Sequence, residues 1–232
     1  MIDAAASSGA QVLKAQVALM LFGAPGSGKG TAGTIVARQL GLPHISTGDL
    51  LRAHVAAGDD VGLKVRSLMG AGRLAPDDLV NLMVLERTAE SDCEQGFILD
   101  GYPRTIAQAK VLVDELAARK VTPVVIHLNV DYNRITVRMA GRRTCPVCGA
   151  VYNIVSRPAK VRGICDRDGS GLVIRDDDQE DVVRARLDSY DRVTKPLEEY
   201  FKTAVSRLYN VDANTGSPQE IADRIRELVE KG

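Results

Sequence analysis

Tryptophan is missing from the 232 residues, and aromatic side chains make up only 4% of them. Single-stranded nucleic acid is held by aromatic stacking platforms along a basic stripe. With thirty basic residues balanced by thirty acidic ones, this chain offers neither, and a nucleic-acid partner is not expected. Zero net charge likewise gives no field toward an anionic membrane, so any basic site has to be local. No apolar run approaches the ~20 residues needed to span a bilayer. Residues 1–16, MIDAAASSGAQVLKAQ, lack a basic n-region and an adequate apolar h-region, so a secretory signal is not expected there. They read as a poorly ordered extension, with a short helix as the rival. Without an export signal, four cysteines point to reduced thiols or a metal rather than a disulfide frame, and the cytoplasm is the expected compartment. Histidine is also scarce, at three residues. No Ser–His–Asp order and no HExxH pair is found, which removes two common hydrolytic chemistries.

What the chain does have is GAPGSGKGT, from Gly23 to Thr31. It follows an apolar run, Val17–Phe22, that reads as a buried parallel strand. It leads into Ala32–Leu40, where Ile35, Val36 and Leu40 are spaced as on one helix face. Strand, glycine-rich turn and helix start make a phosphate cradle. Glycines let backbone N–H groups turn inward, the helix N-terminus adds positive potential, and Lys29 reaches the outer phosphates. One departure stands out: a P-loop usually has Ser or Thr directly after its lysine, whereas Gly30 here precedes Thr31.

Further apolar runs (Pro43–Ser46, Phe97–Asp100, Val124–Asn129, Leu208–Val211) alternate with helical stretches at Asp77–Ala89, Ile106–Lys120, Asn133–Ala140, Gln179–Val205 and Pro218–Glu230. The alternation predicts an α/β fold, a parallel five-stranded sheet flanked by helices. Ser217, Pro218 and Glu220 form an N-terminal helix signature. Two stretches interrupt the pattern. Residues 46–75 read as a small helical insertion, and residues 141–178 as a compact β excursion. The core is then expected from 17–45, 76–140 and 179–232.

The β excursion carries Cys145-Pro-Val-Cys148 and, after sixteen intervening residues, Cys165-Asp-Arg-Asp168. Zinc takes four ligands at tetrahedral corners, and two short turns separated by a hairpin supply them in pairs. Asp168 stands where a fourth cysteine is commonest; Asp166 is too near Cys165 to be preferred. Four protein ligands leave no open position, so the site is expected to be structural, lending folding energy to a unit with little core. The alternative is a metal-free hairpin with buried thiols. Cys93 falls outside the pattern and reads as a spectator.

Asp100 ends an apolar strand, where P-loop proteins place an acid that helps to hold Mg²⁺. Arg52, Arg104, Arg138, Arg142, Arg175 and Arg186 recur beside turns and flap edges, and guanidinium groups bind phosphate in two-pronged fashion. His44 and His127 read as core residues with satisfied nitrogens, and His54 as lying on an exposed helix face. Asp176-Asp177-Asp178 fits either a solvated turn or a cap or hinge of the β excursion.

GAPGSGKGT, Ser46-Thr-Gly-Asp-Leu-Leu-Arg52, Asp100-Gly-Tyr-Pro-Arg104-Thr and Gly141-Arg-Arg143 follow one another in an order that resembles adenylate kinase of the long-lid type with a metal-bearing lid. The resemblance covers Val17 to Glu230, and Gly30 fits that family's variant of the loop. It implies a reversible transfer from MgATP to AMP giving two ADP, in a monomer. Gly26, Ser27, Gly28, Lys29, Gly30 and Thr31 match the ATP phosphate loop, and Val151 and Tyr152 match lid positions near ATP. A backbone carbonyl near Ser217 matches the ATP base contact, although VDANTGSP departs from the family there. Thr47, Arg52, Arg73, Leu74, Ala75, Gly101, Tyr102, Pro103, Arg104 and Gln108 match AMP positions, with Gln108 on the adenine edge and Tyr102 where Phe is usual. Arg138, Arg142, Arg175 and Arg186 match the arginines around the moving phosphoryl group, the last two also on the AMP side. Residues 46–75 thereby correspond to the AMP-binding insertion and 141–178 to the lid. A UMP or CMP kinase is the nearest rival enzyme, and a zinc-ribbon module binding nucleic acid the rival of another class.

Overall fold

The structure, a computed structural model, describes residues 16–231; the remainder of the expected N-terminal extension lies outside the described residues. Five parallel strands form the central sheet in the order β2 (His44–Ser46), β3 (Gly96–Asp100), β1 (Val17–Phe22), β4 (Thr122–Asn129), β7 (Leu208–Asp212). The expected parallel five-stranded sheet is therefore present. β1 is central and buried along all six residues, as VALMLF requires when both faces are covered. It pairs Met20 with Leu99 on one side and with Val125 on the other. Because every strand runs the same way, the chain leaves the sheet at one carboxyl edge, where Gly23, Thr47 and Gly101 come together.

Helices cover both faces: α1 (Lys29–Leu40), α4 (Asp77–Thr88), α5 (Ile106–Ala118), α6 (Tyr132–Ala140) and α9 (Pro218–Glu230). The start of α9 is the expected capping box. Ser217 Oγ accepts the Glu220 N–H, and the Glu220 carboxylate accepts the Ser217 N–H. α1 is tied to α9 by the Gln39 amide, which donates to Asp223 at 2.6 Å.

The helix expected over Gln179–Val205 is broken. It consists of α7 (Glu180–Ser189), a wide turn over Tyr190–Thr194 in which the Lys195 N–H reaches back five residues to the Tyr190 carbonyl, and α8 (Leu197–Ala204). Pro196 has no N–H to continue the ladder. Residues 46–75 hold two helices, α2 (Thr47–Ala57) and α3 (Asp60–Gly70). Between α6 and α7, β5 (Arg142–Thr144) and β6 (Val151–Asn153) form an antiparallel ribbon with its own small core of Cys145, Ala150, Tyr152 and Cys165. No helix among the described residues is long and apolar enough to cross a membrane.

Candidate active site

The loop after β1 is built around its backbone. The Ser27 N–H closes a turn on the Ala24 carbonyl at 3.1 Å, and Gly28 takes φ 98°, a left-handed conformation that glycine adopts without strain. α1 begins at Lys29 with no side-chain cap, so its first backbone N–H groups have no cap partner. Lys29 Nζ donates to the carbonyls of Gly23 at 2.7 Å and Ala24 at 2.9 Å. Burial pushes its pKa down to about 8, against the opposing pull of Asp100. A Cβ at position 30 would lie 3.0 Å from Asp100 Oδ2. The glycine that separates Lys29 from Thr31 thus lets the carboxylate at the end of β3 approach the loop.

Around this loop opens a cavity of about 330 Å³, lined by the loop and by Asp100, Arg138, Arg142, Val151 and Tyr152. A smaller one of about 60 Å³ lies beside it, lined by Thr47, Arg73, Leu74, Ala75 and Gln108. Arg52, Arg104 and Arg186 line both, so the boundary between the cavities is cationic. Arg104 is held by its Nε, which donates to the Gly101 carbonyl at 2.8 Å, and burial lowers its pKa. Arg138 joins the loop to the end of β7 by donating to the carbonyls of Ser27 and Ala213.

Aspartates occupy the remaining arginines, a feature of the Asp176–Asp178 run that the sequence left open. Asp177 accepts from Arg175 at 2.7 Å and from Arg186 at 2.9 Å, and lies 3.9 Å from Arg52. Burial opposes its ionisation, yet Arg186 and Arg175 hold its carboxyl well below the usual carboxylate range. Arg186 itself is lowered by burial to about 10, with Asp177 opposing. Asp178, whose side chain is fully buried, takes both arms of Arg142. The reading as a solvated turn is overturned for these two residues.

Two site residues, Tyr102 and Ser217, sit otherwise than a side-chain contact would need. Tyr102 is turned into the core, where its hydroxyl donates to Asn81 at 2.7 Å, and it lines neither cavity. Ser217 is spent on capping α9, and the large cavity is lined by Gly216 and Pro218 on either side of it. Gln108 is nearly fully buried and already bonded to the Arg104 N–H and to Asp77. Asp77 carried no signal of its own in the sequence beyond beginning a helix. The histidines divide. His127 is buried and satisfied by Asn210 and the Tyr190 hydroxyl, and His54 is half-exposed with a bond to Asp59. His44 corrects the expectation of satisfied nitrogens: its buried Nε2 has no hydrogen-bond partner and lies 3.7 Å from Asp100.

In the β ribbon, ligand atoms of Cys145, Cys148, Cys165 and Asp168 lie within 4.8 Å of one another. Cys148 and Cys165 bring their sulfurs to 3.5 Å, and an Asp168 oxygen lies 3.3 Å from the Cys145 sulfur. Three thiols and a carboxylate at these separations are compatible with tetrahedral zinc. Asp166 is bonded to the Lys160 N–H instead and does not join the cluster. Cys93 stands apart, its thiol pushed up to about 11 chiefly by burial.

Residues 21–206 match the family model described as adenylate kinase. The chain belongs to the adenylate kinase family. It is 43% identical to the adenylate kinase of Thermodesulfovibrio yellowstonii over 92% of this chain and 99% of that one. It is 45% identical to that of Fervidobacterium nodosum over 84% and 89% of the two chains, and 46% identical to that of Pseudothermotoga lettingae over 79% and 85%. A nucleoside monophosphate kinase is a transferase that uses ATP with Mg²⁺, which accounts for a phosphate loop, a nearby carboxylate and many arginines in one cleft.

Proposed function

We propose that this protein catalyses MgATP + AMP ⇌ MgADP + ADP by direct in-line transfer, with ATP in the large cavity and AMP in the small one. The observation that carries this reading is the shared wall: Arg52, Arg104 and Arg186 face both cavities, where a phosphoryl group passing between two nucleotides would need its charge neutralised. An AMP phosphate oxygen is already anionic near neutral pH, so no protein base is required. Catalysis then rests on alignment and electrostatics.

In this reading Gly26–Thr31 cradle the ATP phosphates, and Lys29 exchanges its bonds to the Gly23 and Ala24 carbonyls for phosphate oxygens. Arg138 and Arg142 grip the donor side; Arg175 and Arg186 surround the moving group and the AMP phosphate, with Arg52 and Arg104. Asp100 would help to hold the Mg²⁺ that accompanies ATP, which would offset phosphate charge. Thr47, residues 73–75, residues 101–103 and Gln108 form the AMP side, Tyr102 through its backbone. Residues 46–75 and 141–178 act as two flaps on a core of 17–45, 76–140 and 179–232, excluding the water that would otherwise hydrolyse ATP. Cys145, Cys148, Cys165 and Asp168 would hold a structural zinc ion, which would lend the outer flap folding energy. The described cysteines are unpaired, which suits a monomer working in the reducing cytoplasm.

The test is a coupled assay offering AMP, CMP, UMP and GMP as acceptors with MgATP. AMP should be consumed far faster than the other three. Folded protein that makes no ADP from AMP and ATP would sink the proposal.

A further inference from the structure

Gln108 lies in the first turn of α5 and is 2% exposed. Its backbone N–H is taken by Thr105 Oγ1 at 3.1 Å. Its side-chain oxygen accepts the Arg104 N–H at 2.7 Å, and its side-chain nitrogen donates to Asp77 Oδ1 at 2.8 Å. Asp77 is the first residue of α4, and its other oxygen accepts the Thr105 hydroxyl at 2.7 Å.

Neither partner of the amide can reverse its sense. A backbone N–H only donates, and an ionised carboxylate only accepts. Turned over, the amide would set N–H against N–H and oxygen against carboxylate, all in a buried place where unmatched polar groups are costly. Donor and acceptor chemistry therefore fix which way Gln108 faces. A primary amide has two N–H donors and two oxygen lone pairs. One of each is spent on the protein, so one N–H and one lone pair remain on a residue that lines the small cavity.

That remaining pair asks its ligand for an acceptor beside a donor. The Watson–Crick edge of a 6-aminopurine supplies them, with N1 accepting and the N6 amino group donating. A 6-oxopurine reverses both, with N1–H donating and O6 accepting. Against a fixed amide, the reversed edge puts donor on donor and oxygen on oxygen. Against an amide free to turn over, it would be accepted nearly as well.

We infer that Asp77 is a specificity-determining positioning residue: it touches no substrate, but by locking the Gln108 amide it makes the acceptor pocket choose 6-amino over 6-oxo purine nucleotides. This rests on the reading that Gln108 faces the acceptor base.

The experiment compares kcat/KM for AMP with that for inosine monophosphate, which differs from AMP only in carrying O6 and N1–H. A pocket built to hydrogen-bond one pattern rejects the other strongly, so the unaltered protein should favour AMP by about a thousandfold or more. Asp77→Ala should narrow that ratio at least about tenfold, through both a higher KM for AMP and a gain with inosine monophosphate. Asp77→Asn keeps an oxygen that can accept from Gln108 but can also turn an N–H toward it, so its ratio should fall between those of Asp77→Ala and the original. A merely structural Asp77 would lower the melting temperature and both efficiencies together, leaving the ratio unmoved; that result overturns the inference. Should Asp77→Ala not fold, Asp77→Ser, which suits a helix start, is read the same way. Gln108→Leu separates the two levels of the argument. If it leaves selectivity unchanged, the placement of Gln108 on the base fails. If it abolishes selectivity while Asp77→Ala does not, the lock alone fails.

Discussion

Lys29 shows how a single charge is held by the backbone of its own loop. Its ammonium rests on the Gly23 and Ala24 carbonyls, and burial brings its pKa down to about 8. Unfolding returns it to the ordinary value of 10.5. Between those values the unfolded chain binds more protons than the folded one, so the contribution of Lys29 to stability rises with pH across the window and is lost below it. Urea denaturation of the nucleotide-free protein at pH 8 and pH 10 should show the difference between wild type and Lys29→Met moving in favour of the wild type at the higher pH. Activity runs the other way, since phosphate needs the charged form. Lys29→Ala or Arg142→Ala should cost at least about a hundredfold in kcat, the order expected for a preorganised charge at a phosphoryl centre. Steady-state kinetics at saturating ATP and AMP checks this.

Much of this was open to reading in the residues themselves. Gly23–Thr31, Asp100–Arg104 and the cysteine spacing each encode geometry locally: a loop, a strand end, two metal-sized knuckles. The partners of a charge are not encoded in that way. That Asp178 would bind Arg142, thirty-six positions away, depends on how the β ribbon folds back onto the start of α7. His44 Nε2 and Asp100 likewise approach only because β2 and β3 are neighbours, with Ser46 in register with Asp100. Tyr102 belongs to a recognisable motif, but nothing in the motif says that its ring turns inward to Asn81.

At the scale of elements, the β ribbon and its join to α7 carry separate loads. The ribbon's own core is four buried residues, two of them cysteines of the cluster. Cys148→Ser should therefore reduce bound zinc and lower the melting temperature while leaving the preference for AMP unchanged; metal analysis and calorimetry on one preparation decide it. The join between the ribbon and α7 depends on Asp178, which pairs with Arg142. Asp178→Ala should destabilise the nucleotide-free protein by about 3 kcal/mol, the low end for breaking a buried pair, because Arg142 retains some access to water. Chemical denaturation measures that loss. The break between α7 and α8 was the element least well anticipated. The apolar spacing runs on past Tyr190, and only Pro196, acting through a hydrogen bond it cannot make, interrupts it.

For the whole molecule, the parallel order β2-β3-β1-β4-β7 delivers the phosphate loop, the Asp100 turn and the start of α2 to one edge. This much follows from alternating strands and helices. The order of the strands does not, since it requires knowing that β3 lies between β2 and β1. Ligands that join parts of such a cleft stabilise the fold by mass action. ATP at a hundred times its Kd should add about 2.7 kcal/mol to unfolding, and thermal melts with and without nucleotide test it.

Asp177 and Asp178 already sit where phosphate oxygens would be welcome. The arginine-lined cleft is therefore not a bare positive trap but one furnished with its own counter-anions. An incoming ligand has to outcompete two carboxylates tethered to the same chain, whose local concentration never falls. Inorganic phosphate, with two charges and no base to anchor it, is a poor contender; a triphosphate seated on the loop is a strong one. On the proposed reading, the aspartates would set an entry threshold that keeps small anions from clogging the arginines.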